Sequence, residues 1–393
     1  MYDIASIITL EEIRNPERFN YDPSFLPEAI EFATEKVREI MPDFLHLYPT
    51  PCSKNLKYGA RENEHDWVEG FWTGMLWLSY ELTGSNLFRG MAEAQLTDYR
   101  HRLKKHLGLD HHDIGFLYSP SAVAQYKLTG SKQAKKLALS AAELLAKRFS
   151  PQAGIIQVRD RDVQGAFIVD CSMNVPLLAW AGKETGERAY TRMALTHMMR
   201  VCENIVRENG STHQCFKIDE VTGMPSHGWQ GQGYNNESCW ARGQAWVIYG
   251  LALAYSYTKE PRFLAIAKRT ANYFLNRLPS DLICNWDLVF TKDDDPRDSS
   301  SAPIAACGLL ELSKYLPKAE ASIYHRAAGA MLQSLAYSYT TKGLDSNGLL
   351  QHGVYCKDKG QGGWGDDECC IWGDYFYMEG LARLHLDWKP YWY

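Results

Sequence analysis

Residues 70–84 read GFWTGMLWLSYELTG, and residues 115–130 read GFLYSPSAVAQYKLTG. Both stretches carry small and aromatic residues on more than one helical face, as a helix that is contacted on several sides does. Both end on Thr-Gly, and a glycine at that place can take the left-handed conformation that closes a helix. The following stretch at 132–149, KQAKKLALSAAELLAKRF, is apolar on one face only. The pattern predicts inner helices that alternate with one-sided outer helices.

The same alternation continues along the chain of 393 residues. Two further apolar helices are predicted to end on Thr185-Gly186 and, without the glycine, on Thr258-Lys259. Helical periodicity covers nearly the whole sequence, whereas the strict alternation of a half-buried strand is hard to find. Apolar residues at helical spacing predict the first two helices at about 29–40 and 71–82. The other predicted helices cover about 87–107, 115–128, 131–149, 174–184, 188–209, 241–258, 261–278, 303–316, 319–342 and 375–386. Twelve helices indicate a mainly α protein, either a superhelical array of hairpins or a closed toroid of six pairs.

An aspartate stands in the polar loop before nearly every inner helix. These residues are Asp66, Asp113, Asp170, Asp298 and Asp374, and the fourth inner helix carries Arg242 instead. Aspartates at helix starts are often N-caps, which stabilise a helix by about 0.5–2 kcal/mol each. In a ring of parallel inner helices, however, the N-termini meet at one mouth, where their dipoles favour an anionic ligand. Carboxylates brought together there would differ in pKa, so that one could donate a proton at neutral pH.

Asp113 and Asp170 are the strongest candidates for such a pair. Asp113 follows His111-His112 and precedes Gly115, which is a poor setting for a surface cap. Asp170 ends the apolar run 166–169 and is expected to enter the site from a buried strand or loop, and burial raises a carboxyl pKa. We therefore predict that Asp170 is a general acid/base. A metal site at His111-His112-Asp113 is the alternative, but no second ligand group at suitable spacing completes it, so no metal is predicted.

Two glycine-rich segments are candidate binding loops. The first runs from His213 to Trp246, and its part SHGWQGQGYNNESCWARGQAW at 226–246 combines glycines and amides with Arg242 and, one helical turn on, Trp246. Arg242 offers a forked donor that matches a carboxylate, although Trp246 could also be a core aromatic. The second segment, 343–373, contains Lys357 and Lys359. It is either a lid over the same mouth or a flexible surface loop.

Composition narrows the class of partner and compartment. With 42 basic and 47 acidic residues, the net charge of −5 does not favour a nucleic-acid or anionic-membrane partner. Aromatic residues make up 12% of the chain, and their flat faces with polar edges suit both cores and sugar rings. The N-terminus MYDIASIITLEEIR lacks the basic region and the apolar run that make up a secretory signal peptide. We therefore expect a cytoplasmic protein. Ten cysteines without a CxxC pair indicate reduced thiols.

Six motifs along the chain resemble, in the same order, segments of the unsaturated glucuronyl hydrolases, family 88 of the glycoside hydrolases. They are DWVEGFWTGMLWLSYELTG, LDHHDIGFLYS, IVDCSMNVPLL, CWARGQAWVIYGLALA, RDSSSAPIAACGLLEL and IWGDYFYMEGL. The resemblance implies an all-α (α/α)6 barrel in a single catalytic domain over residues 1–393, with residues 1–25 as an N-terminal extension. It also implies a hydrolase that takes the 4,5-unsaturated uronic acid from the non-reducing end of lyase-generated oligosaccharides of the glycosaminoglycan type. No metal or organic cofactor is implied.

The family's reaction hydrates a vinyl ether instead of displacing the glycosidic oxygen. A proton goes to C4, water adds at C5, and the resulting hemiketal opens and expels the rest of the sugar. The resemblance implies Asp170 as the acid/base and Asp113 as its carboxylate partner. It implies a substrate-binding set of Trp67, His112, His213, Gln232, Gly233, Arg242 and Trp246.

Two departures from the family pattern leave the preferred polysaccharide open. The segment GIIQVRDRDV has Arg159 near a position where family members often have tryptophan, so a stacking platform is expected to be missing. The segment YCKDKGQGG lacks the serines of a Ser/Ser/Lys sulfate-binding pattern, although Lys357 and Lys359 remain. With Arg159, these lysines could favour a differently placed sulfate. Alternatives to the main hypothesis are an unsaturated rhamnogalacturonyl hydrolase, another glycosidase on the same barrel, and a non-catalytic helical binding protein.

Overall fold

The computed structural model of the chain describes residues 4–63, 66–158, 164–293, 295–357 and 363–393. Most of these residues are helical. The α-helices are α1 (Ile4–Ile7), α2 (Leu26–Ile40), α3 (Glu69–Thr83), α4 (Asn86–Lys105), α5 (Ile114–Tyr118), α6 (Ala124–Thr129), α7 (Lys132–Ala146), α8 (Cys171–Asn174), α9 (Pro176–Thr185), α10 (Arg188–Arg200), α11 (Ala241–Thr258), α12 (Pro261–Leu275), α13 (Ser301–Ser313), α14 (Lys318–Ser338) and α15 (Ile371–His385). Short 3₁₀ turns cover Pro16–Arg18, Pro23–Phe25 and Met41–Phe44, and π-helical turns cover Ser119–Val123 and Val201–Ile205.

The inner helices form a closed ring. Its members are α3, the α5–α6 pair, the α8–α9 pair, α11, α13 and α15; each contacts the next, and α15 contacts α3. Helices α2, α4, α7, α10, α12 and α14 pack outside them. The inner helix α13 is buried on nearly every face, whereas the outer helix α7 is buried along one stripe. The architecture is an (α/α)6 barrel, which confirms the predicted toroid and excludes an open array.

The predicted helix ends are also confirmed. Gly84, Gly130 and Gly186 close their helices in the left-handed conformation, with φ of 69°, 71° and 77°. Lys259 takes the same conformation with φ of 58° at the place where the glycine is missing. A glycine adopts this conformation without steric cost, and a lysine adopts it at some cost.

Several predicted boundaries are wrong for identifiable reasons. The helix predicted at 115–128 contains a π-helical turn at Ser119–Val123, because Pro120 has no N–H for a regular helical hydrogen bond. The helix predicted at 375–386 begins four residues earlier, at Ile371. Asp374 therefore lies within the first turn of α15 instead of in the loop before it.

In the part of the chain that the structure describes, nine short strands lie in the loops that lead into inner helices. They are β1 (Tyr48–Pro49), β2 (Ala60–Arg61), β3 (Phe149–Ser150), β4 (Ile155–Ile156), β5 (Ala166–Ile168), β6 (Cys215–Ile218), β7 (Pro225–Trp229), β8 (Gly353–Cys356) and β9 (Trp364–Glu368). They form the antiparallel sheets β1-β2, β3-β4, β5-β6-β7 and β8-β9. Each strand lies between an outer helix and the inner helix that follows, and the sheet β5-β6-β7 joins the loop before α8 to the loop before α11.

The C-terminal residues close the other end of the barrel. Trp392 stacks on Phe376 of α15, with ring centroids 5.7 Å apart and planes 8° apart. Its Nε1 donates to Glu379 Oε2 at 3.1 Å, and Trp388 Nε1 donates to Glu81 Oε2 at 3.0 Å. The interior therefore opens toward the helix N-termini. Among the described residues, none of the helices has the length and apolarity needed to cross a membrane.

Candidate active site

A cavity of about 370 Å³ lies at the N-terminal ends of the inner helices. Its lining residues are Asp66, Trp67, His111, His112, Asp113, Val158, Ile168, Asp170, Gln232, Trp240, Arg242, Trp246 and Tyr355. They come from the loops before α3, α5, α8, α11 and α15 and, for Arg242 and Trp246, from the first two turns of α11, as the predicted meeting of helix starts requires. Acidic, basic, amide and aromatic side chains thus face one enclosed volume.

His112 lies between the two predicted catalytic carboxylates. Its Nε2 is 2.8 Å from Asp170 Oδ1 and 3.2 Å from Asp113 Oδ1. Its Nδ1 is 3.3 Å from the carbonyl oxygen of Val158, which fixes the ring orientation. Asp113 and Asp170 occupy the N-cap positions of α5 and α8, but neither side chain makes a capping hydrogen bond. The two carboxylates therefore face the cavity and do not serve as caps.

Burial and charge separate the proton affinities of this group. Burial raises the pKa of Asp170, and repulsion from Asp113 adds to that rise against the opposing charge of His112. Burial also acts to raise the pKa of Asp113, but the charge of His112 and hydrogen bonds from neighbouring side chains hold it below its usual value. Burial would lower the pKa of His112, but Asp113 and Asp170 outweigh burial and raise it to about 9. Asp170 is thus the easier carboxylate to protonate, beside an ionised Asp113 and a cationic His112.

Asn174 holds the two carboxylate-bearing loops together. Its Nδ2 donates to Asp113 Oδ1 and to the carbonyl oxygen of Asp170, both at 3.2 Å. Its Oδ1 accepts from the backbone N–H of Phe116 at 2.8 Å. A Cβ at Gly115 would lie 2.4 Å from Asn174 Cα, so the glycine permits this close contact between α5 and α8. The relative position of Asp113 and Asp170 depends on this contact.

Arg242 is buried at the wall of the cavity among aromatic rings. Its guanidinium carbon is 4.3 Å from the ring centroid of Trp240 and 4.8 Å from that of Trp372. Its terminal nitrogens donate to the carbonyl oxygens of Val354 and Tyr355 in β8. The guanidinium group predicted to bind a carboxylate thus donates its hydrogen bonds to backbone carbonyl oxygens. Arg242 therefore contributes its positive charge to the cavity in this structure.

Trp67 and Trp246 both line the cavity, within one aromatic wall. Trp67 stacks on Trp372 with centroids 5.2 Å apart, and its Nε1 donates to the Tyr355 hydroxyl at 3.3 Å. Trp246 is almost fully buried and packs on Phe116 at 5.0 Å. Trp67 consequently offers more ring surface to a ligand than Trp246 does.

The glycine loop contributes Gln232 directly and Gly233 indirectly. Gln232 lines the cavity, its Nε2 donates to the Tyr355 carbonyl oxygen at 2.6 Å, and its Oε1 accepts from Gln214 at 2.7 Å. Gly233 is buried, and a Cβ there would lie 3.0 Å from Asp287 Oδ2. Gly233 thus allows the loop to pack closely, and it is not among the lining residues.

Besides Gly233, four predicted binding residues do not line this cavity or lie outside the described residues. His213 packs against Gly228 and Arg207, with Arg207 Nη2 3.1 Å from its Nδ1, and it is not a lining residue. Burial and the Arg207 charge lower the pKa of His213 to about 4. Lys357 forms a 2.6 Å ion pair with Asp366 and faces a neighbouring cavity. Arg159 and Lys359 lie outside the described residues.

The remaining helix-start aspartates have different structural roles. Asp66 lines the cavity and pairs with Arg61 at 2.7 Å. Asp298 Oδ1 accepts from the N–H groups of Ser300 and Val354, both at 3.1 Å, which ties α13 to β8. Asp374 Oδ2 and Oδ1 accept from the N–H groups of Leu349 and Leu350, both at 2.9 Å, and burial raises its pKa to about 7. Asp298 and Asp374 are buried anchors for the loops around the site.

One cluster of potential metal donors is found in the described residues. The donor atoms of His112, Asp170 and Cys171 lie within 4.8 Å of one another. Burial raises the pKa of the Cys171 thiol well above its usual value, and His112 favours its protonated form. Metal ligands must be deprotonated, so this set does not suit a metal ion.

Sequence reasoning missed two residues that shape the site. Tyr355 connects Trp67, Gln232 and Arg242, and no local pattern around it indicates that role. Asn174 follows Asp170 by four residues, a spacing that places both on one helical face and could have drawn attention to it. Trp240 also lines the cavity and stacks on Arg242.

Comparison with known proteins gives consistent matches over nearly the whole chain. The profile of Glycosyl Hydrolase Family 88 matches residues 42–358. An unsaturated chondroitin disaccharide hydrolase of Streptococcus pyogenes serotype M1 is 39% identical over 398 residues, covering 98% of each chain. The crystal structure of an unsaturated glucuronyl hydrolase from Streptococcus agalactiae has a TM-score of 0.94 at 38% identity, covering 98% of this chain and 99% of that one.

A second S. agalactiae structure carries a ligand. An aspartate-to-asparagine variant of that hydrolase, complexed with dGlcA-GalNAc6S, has a TM-score of 0.87 at 38% identity and covers 98% of this chain and 99% of that one. The family profile, the curated relative and the solved structures agree on the family, and the solved structures share the fold of this chain. The chain is a glycoside hydrolase and belongs to glycosyl hydrolase family 88.

Proposed function

We propose that this enzyme removes the 4,5-unsaturated uronic acid from the non-reducing end of lyase-generated glycosaminoglycan oligosaccharides. The observation that carries the proposal is the buried Asp113–His112–Asp170 group at the mouth of the barrel. Its members favour different protonation states, which is what an acid/base reaction at neutral pH requires. The relatives named for unsaturated chondroitin disaccharide and glucuronyl hydrolysis support the same substrate class.

In the proposed reaction, Asp170 gives its proton to C4 of the unsaturated ring. The electrons of the C4–C5 double bond form the new C–H bond, and an oxocarbenium-like cation develops at C5 and the ring oxygen. Ionised Asp113 lies close enough to Asp170 to stabilise that cation. The Asp170 carboxylate then takes a proton from the water that adds to C5, and the resulting hemiketal opens and releases the remaining sugar.

Three features support binding of an unsaturated uronate in this cavity. Trp67 offers a ring face to the flat unsaturated sugar, since apolar ring faces pack well on sugar rings. Arg242 supplies a buried positive charge for the uronate carboxylate. The cationic form of His112 adds a second positive charge beside Asp170.

The proposal is tested by incubating the protein with matched disaccharides. The ultraviolet absorbance of the enoate should disappear from a lyase-generated unsaturated disaccharide, while the saturated disaccharide should stay intact. Persistent absorbance with every unsaturated uronic linkage tried would contradict the proposal. Equal cleavage of the saturated substrate would instead indicate an ordinary glycosidase.

We also propose that the enzyme acts in the cytoplasm. All ten cysteines are free thiols, and the Sγ atoms of Cys52 and Cys370 are only 3.5 Å apart without a bond. Thiols this close together persist most readily in a reducing compartment. Fractionation of cells that produce the protein tests the proposal, and recovery of the activity outside the cytoplasmic fraction would contradict it.

A further inference from the structure

Two buried thiols face each other where the last inner helix, α15, packs against the first, α3, a place here called the ring junction. Cys52 lies in the loop before α3, and Cys370 is the N-cap residue of α15. Their Sγ atoms are 3.5 Å apart, and the two residues are only 5% and 2% exposed. Neither of them lines the catalytic cavity, so the pair is separate from the chemistry described above.

The backbone around the two cysteines has the geometry of an antiparallel sheet. The N–H of Ser53 donates to the carbonyl oxygen of Cys369 at 2.9 Å, and the N–H of Ile371 donates to that of Pro51 at 3.1 Å. These hydrogen bonds flank the two cysteines, which therefore form a non-hydrogen-bonded antiparallel pair. The Cα atoms of such a pair are about 4.5 Å apart, within the roughly 4.4–6.8 Å that a disulfide spans. A bond between the two sulfur atoms thus needs side-chain rotation and no movement of the backbone.

The adjacent Cys369 points away from this pair. Cys370 has extended backbone angles, and successive side chains of an extended chain lie on opposite faces. A Cβ at Gly348 would lie 2.6 Å from Cys369 Sγ, and Ser346 Oγ is 3.8 Å from the same sulfur. Cys369 thus contacts the loop before β8, and it is Cys370 that faces Cys52.

Two glycines of the β8–β9 hairpin lie over the sulfur atoms. A Cβ at Gly365 in β9 would lie 2.5 Å from Cys52 Sγ, and a Cβ at Gly353 in β8 would lie 2.9 Å from Cys370 Sγ. The backbone of the hairpin therefore covers both thiols closely. Because reactivity of a thiol depends on access, this cover favours a small oxidant over a bulky thiol compound. Oxidation should then join the two sulfur atoms to each other and not to a foreign group.

Hydrogen peroxide is a small oxidant that can carry out this reaction. One sulfur attacks a peroxide oxygen as a thiolate, the O–O bond breaks, and the released hydroxide takes up a proton to give water. The second sulfur attacks the resulting sulfenic acid, forms the S–S bond and releases a second water. The two cysteines lose two electrons and two protons in total, and the peroxide is reduced to water. Burial raises the pKa of the Cys370 thiol well above its usual value, so Cys52 is assigned the first attack.

We propose that Cys52 and Cys370 are a reversible oxidation site, where peroxide forms a disulfide that stabilises the barrel at the ring junction. Both are free thiols in the structure, and disulfides of cytosolic proteins are usually transient in this way. The bond joins residues 318 positions apart and so encloses nearly the whole ring in one covalent loop. A disulfide that closes a long loop restrains the unfolded chain strongly, so the oxidised barrel resists unfolding. Trp67 and Trp372 stack across the same junction and need not move, so the enzyme stays active.

The test treats the reduced protein with hydrogen peroxide, alkylates the remaining thiols and maps the tryptic peptides by mass spectrometry. The peptide that contains Cys52 should be linked to the peptide that contains Cys370, and dithiothreitol should separate them. Because Cys369 lies in the same peptide as Cys370, the mapping is repeated with Cys369→Ser, which should form the same link. Loss of the link in Cys369→Ser would assign the bond to Cys369 and overturn the proposal, as would its absence from both proteins.

Urea unfolding measures the effect of the disulfide on stability. Peroxide treatment should raise the urea midpoint of the wild-type protein by about 1 M or more, because the closed loop is long. The midpoints of Cys52→Ala and Cys370→Ala should not change on treatment, and comparison within each variant removes the effect of the substitution itself. A linked wild-type protein with an unchanged midpoint would overturn the stabilising role. An equal rise in either variant would do the same.

Rate measurements test whether the cavity keeps its geometry. The value of kcat/KM on an unsaturated disaccharide should be the same for the reduced and the linked enzyme. Loss of the rate on oxidation, with recovery in dithiothreitol, would overturn the claim that the aromatic wall does not move. The peptide link and the urea midpoint need no substrate, so a protein without activity would overturn the proposed function alone.

Discussion

A histidine placed between two carboxylates sets their protonation in this enzyme. His112 Nε2 is within 3.2 Å of both Asp113 and Asp170. Its positive charge lowers the pKa values of both neighbours, but burial outweighs this effect at Asp170 and not at Asp113. The two aspartates, which look alike in sequence, are thereby suited to different roles: a proton donor and a fixed negative charge.

The pH dependence of the rate tests this arrangement. If protonated Asp170 is the active form, kcat/KM falls as the pH rises through the pKa of Asp170. The His112→Gln substitution removes a positive charge that lowers this pKa, so the basic limb of the profile should move to higher pH. The measurement is kcat/KM across the pH range. An unmoved limb, or one at lower pH, would contradict the account, and His101→Gln on the exposed face of α4 is the matched control.

Some site residues could be predicted from the sequence because their types and positions are unusual. Asp170 ends an apolar run, and Asp113 follows two histidines, so the sequence alone singles out both. Tyr355 could not be predicted, because its place at the cavity depends on how the β8–β9 hairpin folds over the barrel. The position of His213 outside the cavity was missed for a similar reason, since His213 packs against Gly228 of strand β7.

At the level of helices and strands, glycines allow the short inner helices to approach one another. A Cβ at Gly70 would lie 2.1 Å from the Phe116 carbonyl oxygen, and a Cβ at Gly250 would lie 2.5 Å from Ser172 Cβ. Together with Gly115, these positions bring α3, α5, α8 and α11 into backbone contact near the cavity. Helix packing and the geometry of the candidate site therefore depend on the same residues.

A pair of glycine substitutions separates packing from helix propensity. Gly115→Ala should force α5 away from Asn174 and lower both the free energy of unfolding and kcat, because Asp113 moves with α5. Gly90→Ala in the exposed part of α4 meets no atom within 4 Å and should raise the free energy of unfolding by about 0.5–1 kcal/mol. Urea denaturation and steady-state rates measure both effects. Full activity and stability in Gly115→Ala would contradict the packing argument.

The longer helices could be predicted because each one repeats its apolar pattern over three or more turns. The helix predicted at 241–258 coincides with α11, Ala241–Thr258. The strands could not be predicted, because segments of two to five residues are too short to show the alternation of apolar and polar residues that is typical of a strand. The early start of α15 was missed since Trp372 and Asp374 suggested a loop, whereas both are buried within the helix.

At the level of the whole molecule, a closed ring needs a sealed base. The residues after α15 supply it, because Trp392 stacks on Phe376 and bonds to Glu379 inside the ring. Lys127 at the end of the second inner helix donates to the carbonyl oxygen of Pro390 at 2.7 Å. Much of the aromatic content noted in the sequence is used for this sealing and for the core.

Removal of one ring from the base tests its contribution to stability. Trp392→Ala should lower the free energy of unfolding by about 3–5 kcal/mol, because a large buried side chain leaves a cavity. The urea midpoint measures this loss. Leu87→Ala, where the side chain is 52% exposed, should change the free energy by less than about 0.5 kcal/mol. A Trp392→Ala protein as stable as the wild type would show that the C-terminal residues are dispensable for the fold.

The central claim is that Asp170 protonates the unsaturated uronate, and Asp170→Asn tests it most directly. Asparagine keeps the size of the side chain but cannot donate or accept the proton, so kcat on an unsaturated disaccharide should fall about 10²–10⁴-fold. Substrate binding should remain detectable, and Asp345→Asn at an exposed site should keep the wild-type rate. The measurement is the rate of loss of enoate absorbance under saturating substrate. A kcat of Asp170→Asn close to that of the wild type would contradict the account.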